Sequence, residues 1–191
     1  MSFIVALQLA GKRCLVIGSS SEAARRARDL AAADAAVTVI APAPCPELEL
    51  LAASGRIALE RRGFDPGDLG EAWLVVLADR DAALLSELGP RCTQRRIPLC
   101  AVDQPGHNGF HHVAVAQAGS VRVAVSTDGQ APGLAKRLRD ELERALSEAD
   151  VAGFARNLSE LRAATEPAER KRVLGEVAAR LRVKIEIDDG R

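Results

Sequence analysis

Apolar and polar positions along the chain outline its elements before any chemistry is considered. Residues 13–18, Arg-Cys-Leu-Val-Ile-Gly, form an almost continuous apolar run closed by glycine. Such a run suits a strand buried on both faces. Ser19 to Ser21 can cap a helix, and Glu22 to Ala33 is an Ala/Arg-rich stretch that predicts one. Val37 to Pro42 is a second β-branched strand, stopped by its proline. Strand, tight turn, helix and strand in this order make a βαβ unit. The alternation continues with a helix at Pro46–Ala53, a short strand at Arg56–Glu60, a buried strand at Trp73–Leu77, a helix at Asp79–Arg96 and a strand at Pro98–Val102. Alternation of this kind predicts an α/β fold, a Rossmann-type parallel sheet with helices on both faces.

After Asp103 the pattern changes. Phe110 to Gln117 and Val121 to Ser126 predict two strands joined in a hairpin at Ala118-Gly119. Ala131 to Ser147 predicts a long amphipathic helix with Leu134, Leu138, Leu142 and Ala145 on its apolar face. Residues 149–182 carry two further helical patterns, broken at Glu166-Pro167, before a polar tail. The expected organisation is a Rossmann domain at 1–112, a hairpin and helix at 113–147 and a helical C-terminal region at 148–191.

Composition narrows the function classes. The 191 residues carry 26 basic and 26 acidic side chains, so no net charge draws the chain to nucleic acid or an anionic membrane. Only 3% are aromatic and none is tyrosine, which leaves few platforms for stacking bases. The apolar stretch Phe3–Leu9 is too short to span a membrane and no basic segment precedes it. A cytoplasmic location is the expectation. Cys14, Cys45, Cys92 and Cys100 lack close metal-type spacing and are expected to be reduced thiols.

Four places could carry chemistry. In the turn Gly18-Ser19-Ser20-Ser21-Glu22-Ala23, Gly18 and Ala23 match the first and third positions of the dinucleotide turn GxGxxG/A, while Ser20 replaces its second glycine. There, free amides at a helix start favour a pyrophosphate. The serine either crowds the phosphates or donates its hydroxyl to them. The second strand ends at Ala41-Pro42-Ala43 without the acid that usually binds a ribose, so NAD and NADP both stay open. Asp103 follows a predicted parallel strand and could act as a general base, or simply cap a turn before Pro105. Ser126-Thr127-Asp128-Gly129 precedes the amphipathic helix and is an anion site or an ordinary helix cap. The three histidines, His107, His111 and His112, cluster within one short segment, yet no cysteine or acid stands at ligand spacing for a closed metal site.

Taken together, these segments resemble the siroheme-synthase N-terminal family, in its stand-alone form. The resemblance runs from Phe3-Ile4-Val5 through the Gly18 turn, the stretch ending at Asp81, the Arg95–Gly106 segment and Val121–Glu143, in the family's order. It implies a Rossmann domain, a homodimer formed through the hairpin and helix, and NAD-dependent oxidation of precorrin-2 to sirohydrochlorin. It further implies, for many members, insertion of ferrous iron or cobalt into that tetrapyrrole. On this resemblance Asp103 matches the general base. Gly18, Ser19, Ser20, Ser21, Glu22, Pro42 and Ala43 match the NAD-contacting turns, and Ser126 and Thr127 match a hydroxyl pair near the substrate. Arg25, Arg26, Lys136 and Arg137 could meet the substrate's carboxylates, or be solvated helix charges. The family's phosphate turn is typically triple glycine, so Gly18-Ser19-Ser20 is a departure. A chelatase that has lost NAD use, a non-catalytic tetrapyrrole- or metal-binding protein and a nucleotide-sensing domain are the other readings.

Overall fold

A computed structural model describes residues 2–104, 106, 108–182 and 184. The chain forms two compact units, one built from Val5–His112 and the other from the chain from Val113 onward with the residues before Val5.

In the first unit, β1 (Arg13–Ile17), β2 (Ala36–Ile40), β3 (Ala58–Glu60), β4 (Leu74–Leu77) and β5 (Leu99–Ala101) form a sheet in the order β3-β2-β1-β4-β5. Every pairing in it is parallel. The order reverses direction at β1 and β4, which defines the switch point where such sheets open a crevice beyond their carboxyl ends. Along β1 the side chains alternate between two cores. Cys14 and Val16 face α1 (Ser21–Ala31) and α2 (Pro46–Ala53), while Leu15 and Ile17 pack with Leu85, Leu88 and Cys92 of α3 (Ala82–Arg95). A sheet covered on both faces explains why its strands are continuous apolar runs rather than alternating ones.

The helices begin where their caps dictate. Ser20 caps α1, accepting the Ala23 N–H; Pro46 occupies the first turn of α2; Asp81 caps α3, accepting the Leu84 N–H at 2.9 Å. The third helix therefore starts three residues later than the apolar pattern predicted, because Asp81 can cap and Asp79 is engaged elsewhere. A short 3-10 turn at Pro66–Leu69 was not foreseen. Asp65 and Asp68 close a reciprocal capping box around it, and Arg62 grips the Asp68 carboxylate through two nitrogens at 2.6 and 2.8 Å. The Arg62 bond and the Asp65 backbone N–H outweigh the cost of burial and hold the Asp68 carboxyl below its usual range.

The second unit pairs β6 (Ala114–Ala118) antiparallel with β7 (Val121–Val125) through a turn at Gly119, whose φ is +60°. The first hairpin strand starts four residues later than predicted; residues 110–113 are irregular. Against the hairpin packs α4 (Pro132–Glu148), followed by α5 (Val151–Ala164) and α6 (Arg170–Ala178). The apolar face of α4 is displaced from the one expected. Ala135 is buried and Leu138, Leu142 and Leu146 are half-buried, whereas Leu134 and Ala145 are exposed. The stripe that packs runs through 135, 138, 142 and 146, the spacing of one helical face, and leaves Leu134 beside it. The segment Phe3–Leu9 has no regular structure. No described helix is long and apolar enough to cross a membrane.

Candidate functional site

Register puts the candidate residues of the first unit on one edge. Ile17 is opposite Ile40 and Leu77, and Leu77 is opposite Ala101, so the four strands end level. Hydrogen bonding continues one rung further. Gly18 N–H donates to Ile40 O, Ala78 N–H to Ile17 O and Val102 N–H to Leu77 O, at 3.0, 2.8 and 2.9 Å. The residues that leave this edge are Gly18, Ala78-Asp79 and Val102-Asp103.

The turn after β1 is built around Gly18, with φ +147°. A Cβ there would lie 3.0 Å from Asp79 Cγ and Oδ1 and 3.2 Å from Ala78 Cβ. Only glycine gives both this backbone angle and this approach. Ser19 ties the turn to the loop after β2. Its carbonyl accepts the Cys45 N–H at 2.8 Å, and its hydroxyl accepts the Ala43 N–H at 3.4 Å. The Gly18–Glu22 turn and Pro42-Ala43 are thereby brought together, as a nucleotide spanning them requires. Ser20 does not offer a free hydroxyl. It donates to Asp79 Oδ1 while accepting the Ala23 N–H. The first amides of α1, at Ser21 and Glu22, precede the i−4 ladder and have no intrahelical acceptor. These amides are the groups that could receive a dinucleotide phosphate, while Asp79 takes the space that the missing Gly18 side chain leaves. Glu22 binds Arg25 and Arg26, each at 2.7 Å. Burial opposes its ionisation, but the two arginines together outweigh that and hold the carboxyl below the usual range. Both arginines are thus paired locally.

Asp103 is exposed in the left-handed region at φ +58°, just past β5, in a turn closed by Gln104 N–H donating to Ala101 O at 3.2 Å. Aspartate tolerates this conformation better than bulkier residues do. Asn108 holds the returning chain, accepting the Ala101 N–H at 2.7 Å and donating back to Ala101 O at 3.2 Å. Two buried nitrogens in this region, Gln104 Nε2 and His112 Nε2, have no protein partner. The His112 ring meets Phe110 edge-on at 5.5 Å. Burial first, then the cationic Arg26 and Arg25, push the His112 imidazole down to about 4, so it is neutral at pH 7. His111 is exposed, and His107 lies outside the described residues. No group of three or more His, Cys, Asp or Glu that could hold a metal occurs among the described residues. The four cysteines are free, and burial pushes the Cys92 thiol up to about 11.

Ser126 and Thr127 belong to the second unit. The Ser126 hydroxyl accepts the Asp128 N–H and the Thr127 hydroxyl accepts the Ala131 N–H, both at 3.2 Å. These bonds order the turn that leads into α4, whose cap residue Ala131 makes no side-chain capping bond. Arg137 pairs with Glu141 on the same helix. A groove of about 530 Å³ opens beside β5, lined by Cys92, Arg96, Pro98 and Gly109 among others, and no candidate site residue lines it.

Asp79 is the residue that sequence reasoning missed. It was assigned to the start of a helix, although it follows the buried strand β4 much as Asp103 follows β5. An acid leaving the carboxyl end of a parallel strand next to the switch point was the available signal.

A β3-β2-β1-β4-β5 parallel sheet with a glycine turn at its switch point defines a Rossmann-type nucleotide-binding fold. In agreement, a family model described as "Putative NAD(P)-binding" matches residues 5–114, and one described as "Sirohaem biosynthesis protein central" matches residues 119–145. The chain belongs to the siroheme-synthase N-terminal family. Among its relatives, a siroheme synthase of Thioalkalivibrio sulfidiphilus is 40% identical over 74% of this chain and 29% of its own length. Siroheme synthase 3 of Aeromonas hydrophila is 37% identical over 80% of this chain and 33% of its own length. The chain therefore spans about a third of the curated relatives it matches. The solved structure of SirC, precorrin-2 dehydrogenase, shares the fold with a TM-score of 0.78, at 24% identity over 92% of this chain and 89% of that one.

Proposed function

We propose that this chain oxidises precorrin-2 to sirohydrochlorin with NAD as hydride acceptor and Asp103 as general base. The observation that carries this reading is the common strand edge, from which the Gly18 turn and the Asp103 loop both emerge. Family membership and the shared fold with a precorrin-2 dehydrogenase support it. The amides of Ser21 and Glu22 would hold the pyrophosphate, with Pro42-Ala43 bordering the adenosine side. When bound, NAD supplies a two-electron acceptor. The chain's own part is to orient the macrocycle at this edge and to take up the proton released as a ring C–H gives its hydride away. An exposed carboxylate on a turn can receive that proton and pass it to water. The Ser126-Thr127 pair would contribute hydroxyls to the substrate. Insertion of ferrous iron or cobalt, both substrates here, would use the same Asp103 to deprotonate the macrocycle nitrogens. We further infer that the working unit is a homodimer, because Val115 and Leu134 of the second unit are exposed.

The test is conversion of freshly generated precorrin-2, followed by absorbance, with and without NAD. Turnover should require NAD and fall roughly 10³-fold in Asp103→Asn, within the range expected for loss of a general base. Asparagine suits the left-handed φ at this position, so the variant keeps the turn. Absence of turnover by folded protein would reject the dehydrogenase. Metal insertion without NAD would then favour a chelatase.

A further inference from the structure

The turn that would receive the dinucleotide is already engaged by an acid of the chain itself. Asp79 leaves β4, the strand that borders β1 at the switch point. Its Oδ2 accepts the Ser19 N–H at 2.6 Å, and its Oδ1 accepts the Ser20 hydroxyl. Gly18 admits the carboxylate this closely because it has no Cβ. Asp79 forms no ion pair among the described residues; it binds the Ser19 amide and the Ser20 hydroxyl. The negative charge beside the phosphate cradle is therefore met by hydrogen bonds and, among the described residues, not by a cationic side chain. A pyrophosphate brought to the Ser21 and Glu22 amides gains from the helix start but is repelled by this carboxylate.

We infer that Asp79 is the residue that sets cofactor affinity in this chain, its charge keeping the dinucleotide weakly bound and readily exchanged. Of the two serines that replace glycines in the turn, Ser20 belongs to the same device through its side chain. The Ser19 backbone lends its amide and the Ser20 side chain its hydroxyl to hold Asp79 in place, so neither of these two groups is free to hold phosphate. This rests on the cofactor reading proposed above.

The experiment is calorimetric titration of the full chain with NAD, comparing wild type with Asp79→Asn, Asp79→Ser and Ser20→Gly. Asparagine can still accept from Ser19 N–H and donate to the Ser20 oxygen, so it removes the charge and little else. Both neutral Asp79 variants should bind NAD roughly tenfold more tightly, and Asp79→Ser guards against a disturbed turn with asparagine. Ser20→Gly keeps the carboxylate but removes one of the bonds that hold it, so it should gain less than either neutral Asp79 variant. A purely structural role for Asp79 predicts the opposite sign, weaker binding in both neutral variants, and would overturn the inference. So would equal binding by all proteins, which leaves the cofactor reading intact. A gain in Ser20→Gly alone would overturn it too, assigning the effect to steric crowding by the serine. No binding by any folded variant would overturn the cofactor reading and the inference together.

Discussion

The two units of this chain are held together differently. In Val5–His112, large side chains such as Leu15, Leu48, Leu69, Leu74, Leu77 and Leu88 are fully buried on the two faces of a parallel sheet. In the second unit, the buried hydrophobic residues among those described are Ala116, Ala118, Ala135 and Val151. Alanines bury little area, and each buried methylene contributes only about 0.8 kcal/mol. The first unit can therefore fix a site by its own packing, with strand ends locked level by register. The second relies on a hairpin, helix caps and many exposed ion pairs such as Arg137–Glu141 and Arg144–Glu141, each of which is weak in water. A cofactor edge belongs naturally on the first kind of unit. A surface that gains by covering belongs on the second.

This contrast can be broken by substitution. Leu15→Ala should have the largest effect on stability, about 3 kcal/mol, because the residue is fully buried and a cavity would remain between tightly packed strands. Chemical denaturation read by circular dichroism checks it; a loss below about 1 kcal/mol would mean that the sheet core is less rigid than its burial implies. Gly18→Ala should cost about 1–3 kcal/mol, since the φ of +147° and the approach of Asp79 both oppose a side chain. It should also abolish NAD binding in the same calorimetric assay, whereas Leu15→Ala should leave binding intact at temperatures where the variant is folded. Leu134→Ala sharpens the other side of the comparison. Leu134 is 54% exposed, so in an isolated chain the change should cost less than about 0.5 kcal/mol. If the face is covered by a second copy, the same variant should instead shift the mass measured by light scattering from twice 20.2 kDa toward 20.2 kDa. A wild type that stays at the single-chain mass at micromolar concentration would reject the homodimer.

The regular elements were legible because strong local signals agreed. Continuous apolar runs located β1, β2, β4 and β5, and the serines after β1 located the start of α1. Errors clustered where local signals competed. The helix expected from Asp79 begins at Ala82 instead, because Asp81 makes the capping bond to Leu84 N–H. On α4, several leucines could have formed the buried face, and contact with β6 chose the stripe through Ala135 over the one through Leu134.

By itself, the sequence determined the order of elements, the glycine turn after the first strand, and an acid at the end of the fifth. These depend on neighbours within a few residues, where propensity, periodicity and capping act. What only the tertiary structure decided was which ends lie side by side. Residue 79 is 60 positions from Ser19, yet parallel pairing of β4 with β1 brings its carboxylate to 2.6 Å from the Ser19 amide. The same pairing turned a serine that could have donated to phosphate into one that donates to aspartate. Long-range register creates such contacts, and no local pattern of apolar and polar residues encodes it.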